Sequence, residues 1–200
     1  MRTEPDAQAA GRLSVAVWEV MAQRGIEGAS VRAVAEAAGC TTGLIMHHFG
    51  SRAAMLVHAR QLLFGRTTER ANAAEDAGTD PVARLTAVLE GALPLDEERA
   101  AEIRVWLGFA AAAVADPELA AVHVAGNRDW VGRIARLLAA CVPDIDDEHR
   151  LRVGAIRLVA LTDGLPTLSI LDPQTYDKDM QNAALRDAID SVVRDLKESR

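Results

Sequence analysis

GASVRAVAEAAGCTTGLIMHHFGSRAAMLVHAR, residues 28–60, decides the fold, because it reads as two short helices separated by a glycine turn and followed by a third helix. Ser30 is a good N-cap, and Val31, Val34, Ala35 and Ala38 recur at helical spacing behind it. Gly39 then ends the first helix, since glycine enters the left-handed conformation that closes a helix without a steric penalty. The chain restarts at Thr41 or Thr42, either of which can cap a second short helix from Gly43 to His48. Phe49 and Leu44 are expected to pack that helix onto the first, while Ser51 caps a third helix whose apolar stripe continues through Met55 and Leu56. Two helices joined by three or four residues make a helix-turn-helix, a unit whose second helix fits the DNA major groove.

The whole chain suits an all-α protein around this unit. Its 200 residues are 50% hydrophobic, 4% aromatic and 26% charged, with abundant alanine and no evident period-two runs of β-branched residues. The formal charge of −7 is unevenly spread. Residues 1–60 hold six arginines and five acids, a balance of +1, against −8 for the remainder. Within 28–60 Glu36 is the one acid, so acid elsewhere keeps non-specific phosphate binding weak. Affinity for DNA would then lean on backbone N–H groups and hydroxyls more than on lysines.

About nine helices are expected. The first covers roughly 6–24, carries Leu13, Val17, Val20 and Met21 on one face, and stops at Gly25. The fourth runs from Ser51 to about Glu75, with a loop at 76–79. Asp80-Pro81 and Asp116-Pro117 each pair an N-cap with a first-turn proline and start the fifth and seventh helices. Between them Glu97 to Val114 forms an apolar helix, and Pro143 to Asp147 breaks the chain before the last two helices, about 151–171 and 176–196. These two carry more apolar surface than one domain of this size needs, and a second chain would bury it. Pro166 lacks an N–H for Thr162 and is expected to bend the helix locally, as a packing adjustment more than a hinge.

VRAVAEAAGCTTGLIMHHFGSRAAML resembles the N-terminal domain of the TetR family of transcriptional regulators, whose pattern is roughly VRxIAxxAGVSxGxLYxHFxSKxxLL. The likeness runs from about Gly11 to Met55 and keeps Ala35, Ala38-Gly39, Gly43, His48-Phe49 and Ser51. Met46 stands where tyrosine is usual, Thr42 where lysine is common, and Arg52 for lysine. In the C-terminal half, ALPLDEERAAEIRVWLGF (92–109), DPELAAVH (116–123) and LTDGLPTLSILDP (161–173) resemble the BetI-like branch of the same family, over most of 85–195. That branch answers to varied effectors, so the effector stays open.

The resemblance implies a helix-turn-helix domain over 1–55 and a helical ligand-binding and dimerisation domain over 56–200. On the DNA face, Thr41, Thr42 and Gly43 offer hydroxyls and N–H groups, Met46 and His47 point toward base edges or thymine methyls, and Ser30, Arg32, His48 and Arg52 match family positions that touch phosphates or neighbouring bases. His48 has a second reading as a brace beside Phe49. Two such heads on a homodimer imply double-stranded DNA with a palindromic operator, its half-sites about one helical turn apart. The expected dimer seam comprises Leu151, Gly154, Leu158, Leu165, Leu185, Ile189, Val192 and Leu196, with Gly154 and Gly164 permitting close approach. The family also implies a pocket between the fourth and eighth helices for a small-molecule effector, with Trp106, Phe109, His123, Asn127, Trp130 and Asp163 as its lining. Each has a plainer reading as core or solvated surface, and Asp163 needs a partner, water or a cationic ligand if buried.

Enzyme chemistry has little support. The sequence has no GxSxG, Walker loop, HExxH or GxGxxG, and no catalytic residue, metal site or cofactor is expected. Asp146-Asp147-Glu148-His149 reads as the start of a helix, and Cys40 and Cys141 lack zinc or disulfide spacing. The start MRTEPDAQAAGR is too polar for a signal peptide, and no apolar run is long enough for a membrane span, so a cytoplasmic protein without a membrane partner is expected. The reading is a ligand-responsive transcriptional repressor. Its alternatives are a DNA-binding dimer controlled by a protein partner or by no ligand, and an all-helical enzyme using His123 and Asp163.

Overall fold

The computed structural model describes residues 4–78 and 80–198, with side chains described from residue 10 onward. The described residues form nine α-helices and no strand: α1 (Glu4–Gly28), α2 (Val31–Ala37), α3 (Thr42–Phe49), α4 (Arg52–Ala77), α5 (Pro81–Glu90), α6 (Glu97–Ala113), α7 (Pro117–Cys141), α8 (Glu148–Leu171) and α9 (Lys178–Glu198). The all-α expectation holds. Thr79, the end of the expected 76–79 loop, and the first three residues of the polar N-terminal stretch lie outside the described residues.

Side-chain caps explain most of the helix starts. Ser30 accepts from Ala33 N at 3.1 Å, Thr41 from Leu44 N at 3.3 Å and Ser51 from Ala54 N at 3.0 Å. Asp80, Asp116 and Asp147 do the same for α5, α7 and α8, accepting from Ala83 N at 2.7 Å, Glu118 N at 2.9 Å and Arg150 N at 3.0 Å. Each cap satisfies a donor that the first helical turn leaves open. Gly25, at φ 67° and ψ −178°, interrupts α1 where its sequence stop falls, and a short turn to Gly28 follows. α8 runs on through Pro166, and Thr162 directs its hydroxyl to the carbonyls of Leu158 and Val159 at 3.2 and 3.1 Å.

The chain divides into two units. The first takes residues up to 65 together with 101–124, and its core gathers Val17 and Met21 of α1, Val34 of α2, Ile45 of α3, Met55 and Leu56 of α4, and Phe109 of α6. The segment 101–124 therefore packs with the N-terminal helices, because Val105, Phe109, Ala113 and Leu119 find their apolar neighbours there. The second unit, 66–100 with 125–200, has its core in Leu85, Leu89, Ile134, Leu138, Leu158, Leu185 and Ile189. Glu75 of α4 there receives Arg133 at 2.7 Å and Arg136 at 2.8 Å from α7, fixing the two helices by charge as well as by packing.

Two sequence expectations need correction. Leu44 does not pack α3 onto α2: it is 41% exposed, and Ile45, fully buried, takes that role. A helix of eight residues turns one narrow face inward, and Ile45 holds it. The other concerns membrane length. Among the described residues α8 is long and apolar enough to cross a bilayer by length and composition, with a mean hydropathy of 1.3 in its most apolar window. Its Arg152, Arg157 and Asp163 break the apolar run in the sequence, while Leu151, Leu158 and Leu165 are buried within the chain.

Candidate nucleic-acid interface

The helix-turn-helix is built by the glycine turn the sequence announces. Gly39 has φ 63°, its N–H meets Glu36 O at 3.2 Å, and the next N–H, from Cys40, reaches back to Ala35 O at 2.9 Å. The carbonyls at the end of α2 are thus satisfied and the chain is redirected within two residues into the Thr41 cap. Gly50, at φ 79°, closes α3 in turn, its N–H bonding Met46 O at 2.9 Å.

With Ile45 inward, steps of about 100° leave Gly43 and His47 pointing away from the core and Leu44 and Met46 on either flank. Thr41, Thr42, Gly43, Leu44, Met46 and His47 are all exposed. The N-terminus of α3 is open too, so its N–H groups stand beside the Thr41 and Thr42 hydroxyls. Ser30 uses a lone pair to cap α2 and keeps its O–H for donation. Arg32 is exposed on α2.

Arg52 and His48 have structural duties. Arg52 sends Nη2 to Ile26 O at 2.7 Å and Nε to Ala29 O at 3.2 Å, tying the start of α4 to the end of α1 and the residue just beyond it. Its guanidinium is drawn toward those carbonyls, which the family correspondence alone does not reveal. His48 meets the Phe49 ring edge-on, with centroids 4.7 Å apart, and Phe49 leans on His58 at 5.3 Å. The brace reading of His48 has a physical basis in this contact.

The residues expected to line an effector pocket fall in different units. Trp106, Phe109 and His123 belong to the first, where the His123 ring lies 6.1 Å from Trp106 and 6.4 Å from Phe109. Phe109 is fully buried core. Burial, and then the charge of Arg60, push the His123 pKa below its ordinary value, and its buried Nδ1 has no hydrogen-bond partner. Asn127, Trp130 and Asp163 belong to the second unit. Asn127 is exposed, Trp130 packs against the core, and Asp163 is half-buried. A groove of about 540 Å³ in that unit runs between α7 and α8, past Ala135, Ala139, His149 and Arg152, and includes none of these three.

The residues expected at the dimer seam lie within the single chain's own packing. Leu158, Leu185, Ile189, Val192 and Leu196 are at most 5% exposed and share one core with Leu151, Gly154 lies against Val192, and Leu165 is also buried, so α8 and α9 pack together within one chain. Gly154 does permit close approach, but to its own chain: a Cβ there would sit 3.0 Å from Val192 Cγ1 and 3.3 Å from Leu138 Cδ1. The outward face of α8 is Val153, Ile156, Ala160, Gly164, Leu168 and Leu171. The sequence does not separate this row from the buried one, because α8 is apolar on more than one face and periodicity does not say which face a neighbour of the same chain takes.

The two cysteines are free. Cys141 donates to Leu137 O at 3.3 Å, and burial together with nearby Asp80 raises its pKa to about 11, so it stays a thiol. No group of three or more metal-ligating side chains occurs among the described residues.

A capped, outward-facing recognition helix on an all-helical scaffold defines a helix-turn-helix DNA-binding protein. Residues 14–59 match the bacterial regulatory proteins of the tetR family, and residues 81–194 match the C-terminal domain of BetI-type transcriptional repressors. The chain belongs to the TetR family of transcriptional regulators and carries a BetI-type C-terminal domain. It is 28% identical to the HTH-type transcriptional regulator PksA of Bacillus subtilis, with 94% of this chain and 92% of that protein covered. Identity to the regulator BetI of Stenotrophomonas maltophilia is 30%, covering 75% of each. A transcriptional regulator from Rhodococcus superposes with a TM-score of 0.84 at 30% identity, covering 99% of this chain and 100% of that one. A regulator from Saccharomonospora viridis solved in complex with choline has the same fold, with a TM-score of 0.84 at 23% identity over 92% of this chain and 96% of its own.

Proposed function

We propose that the chain acts in the cytoplasm as a homodimeric repressor that holds a palindromic operator with α3 of each subunit and releases it when a small molecule binds the C-terminal helices. The observation that carries the DNA reading is the free face of α3, with Thr41, Thr42, Gly43, Leu44, Met46 and His47 all exposed behind a buried Ile45. Ser30 and Arg32 flank it as phosphate partners, and the N-terminus of α3 supplies oriented donors.

Dimerisation is assigned to the outward row of α8. Val153, Ile156, Leu168 and Leu171 are 44%, 47%, 41% and 77% exposed and follow one another at helical steps with Ala160 and Gly164 between them. Gly164 has open space where a Cβ would stand, which suits a close helix crossing with a second copy. This row replaces the buried residues of the expected seam.

An effector is supported by the aromatic cluster around His123, whose buried Nδ1 calls for a hydrogen-bond partner. The Saccharomonospora viridis protein was solved with choline and a Bacillus subtilis FadR with stearoyl-CoA, and each is only a fold-level likeness. An effector releases the operator only if it prefers the DNA-incompatible dimer, and by linkage DNA then weakens the effector by the same factor.

The test is selection of duplexes from a random pool by the full-length chain, with the mass of the complex measured. A palindromic consensus bound by two chains supports the reading, and substituting Ile156→Asp with Leu168→Asp should leave a folded monomer that no longer binds it. Failure to enrich any sequence, or a consensus bound by one chain, overturns it.

A further inference from the structure

We propose that α3 reads its operator half-site chiefly through thymine 5-methyl groups packed against Leu44 and Met46, and not through paired hydrogen bonds to guanine or adenine. This rests on the DNA-binding reading given above and names the chemistry that the same face recognises.

The side chains available to the groove are few. α3 is TGLIMHHF, with no arginine, lysine, asparagine or glutamine. It therefore lacks the guanidinium that bridges O6 and N7 of guanine and the amide that bridges N6 and N7 of adenine. Thr42 and His47 can each make single hydrogen bonds, but neither presents a planar fork. The remaining exposed surface is apolar, Leu44 at 41% and Met46 at 42%.

Position decides the pairing. Leu44 and Met46 flank the outward line of Gly43 and His47, so both meet the groove when this face enters it. Gly43 carries no side chain, and a Cβ there would find only Thr41 Oγ1, at 3.7 Å, so the backbone at the centre of the face can approach the bases. Among the four bases, thymine alone offers a methyl group on the major-groove edge. Leu44 packed against it loses exposed apolar surface, whereas opposite cytosine or a purine it covers polar edges it cannot satisfy. Met46, unbranched and polarizable, adapts to more than one methyl position.

Replacing thymine by deoxyuridine removes the methyl and leaves pairing and O4 intact. The experiment takes the palindrome selected by the full-length protein and measures affinity for duplexes carrying deoxyuridine at one half-site position at a time. The expected result is a loss of about three- to five-fold per methyl at one or more symmetric positions, the size of one buried methyl. Leu44→Ala or Met46→Ala should abolish the sensitivity at its own position while unfolding as the parent does, since both side chains are exposed. Three results overturn the proposal: equal affinity for thymine and deoxyuridine throughout, sensitivity that survives both substitutions, or a larger loss from replacing guanine with 7-deazaguanine. If selection yields no consensus, the DNA reading itself fails, which is a different outcome.

Discussion

The hydroxyl of Ser14 and Nε2 of His58 stand 2.8 Å apart and link α1 to α4 beneath the recognition helix. Ser14 Oγ donates its one proton to Ala10 O at 3.0 Å, so it accepts from His58, and the imidazole carries its proton on Nε2. Burial first, and the charge of His48 second, hold the His58 pKa below the ordinary 6.5.

A pH dependence of stability follows from this. His58 and His123 both bind protons less readily folded than unfolded, so the unfolded chain gains protons first as the pH drops. Stability should be flat above pH 6.5 and fall between there and the lowered folded values. Urea unfolding at fixed protein concentration across pH 5 to 8 measures it, and His58→Gln, which keeps an N–H for Ser14, should shallow the slope.

Gly39→Ala should destabilise the protein by about 1 kcal/mol through backbone strain alone. No atom lies within 4 Å of the position a Cβ would take, while φ is +63°. Gly39→Asn should lose less, because asparagine tolerates that conformation. Thermal unfolding of the two variants separates strain from crowding.

Gly154 and Gly164 should respond oppositely. Alanine at 154 meets Val192 Cγ1 at 3.0 Å and Leu138 Cδ1 at 3.3 Å and should cost about 1–3 kcal/mol by wedging α8 from its neighbours. Alanine at 164 meets nothing within 4 Å in the single chain and should stabilise it by about 0.5–1 kcal/mol through helix propensity while weakening self-association. Denaturant unfolding together with sedimentation distinguishes the two.

Arg32, proposed as a phosphate partner, and Arg52, bonded to backbone carbonyls, should respond differently to substitution. Arg32→Ala should weaken DNA binding, lower the salt slope by about two, one for each subunit of the proposed dimer, and spare stability. Arg52→Ala removes the bonds to Ile26 O and Ala29 O and should lower the melting temperature as well. Unchanged melting of Arg52→Ala would show that those bonds contribute nothing in solution.

The helix-turn-helix was legible because its signals are local. Ser30, Gly39 and Ser51 each act within a few residues and cap or turn as read, and of the two candidate threonines Thr41 is the cap. What sequence could not supply was the choice among apolar faces. Leu44 and Ile45 are neighbours of similar hydrophobicity, and only the packing of α3 sends Ile45 inward. Leu158 and Ile156 pose the same problem in α8, where the first joins the core of the chain and the second faces out. Asn127 lies on an amphipathic helix whose solvent side is set by tertiary contacts, and it is exposed.

The central claim is that the exposed face of α3 confers sequence-specific DNA binding. Its most direct test compares the full-length protein with a variant carrying Thr42→Ala, Leu44→Ala, Met46→Ala and His47→Ala together, all four side chains being exposed, on the selected palindrome and on a scrambled duplex at about 0.15 M salt. The account predicts a preference of about a thousand-fold or more for the palindrome in the parent protein, largely lost in a variant that unfolds at the same temperature. Equal binding of both duplexes by the folded parent, or a preference the variant retains in full, would contradict it.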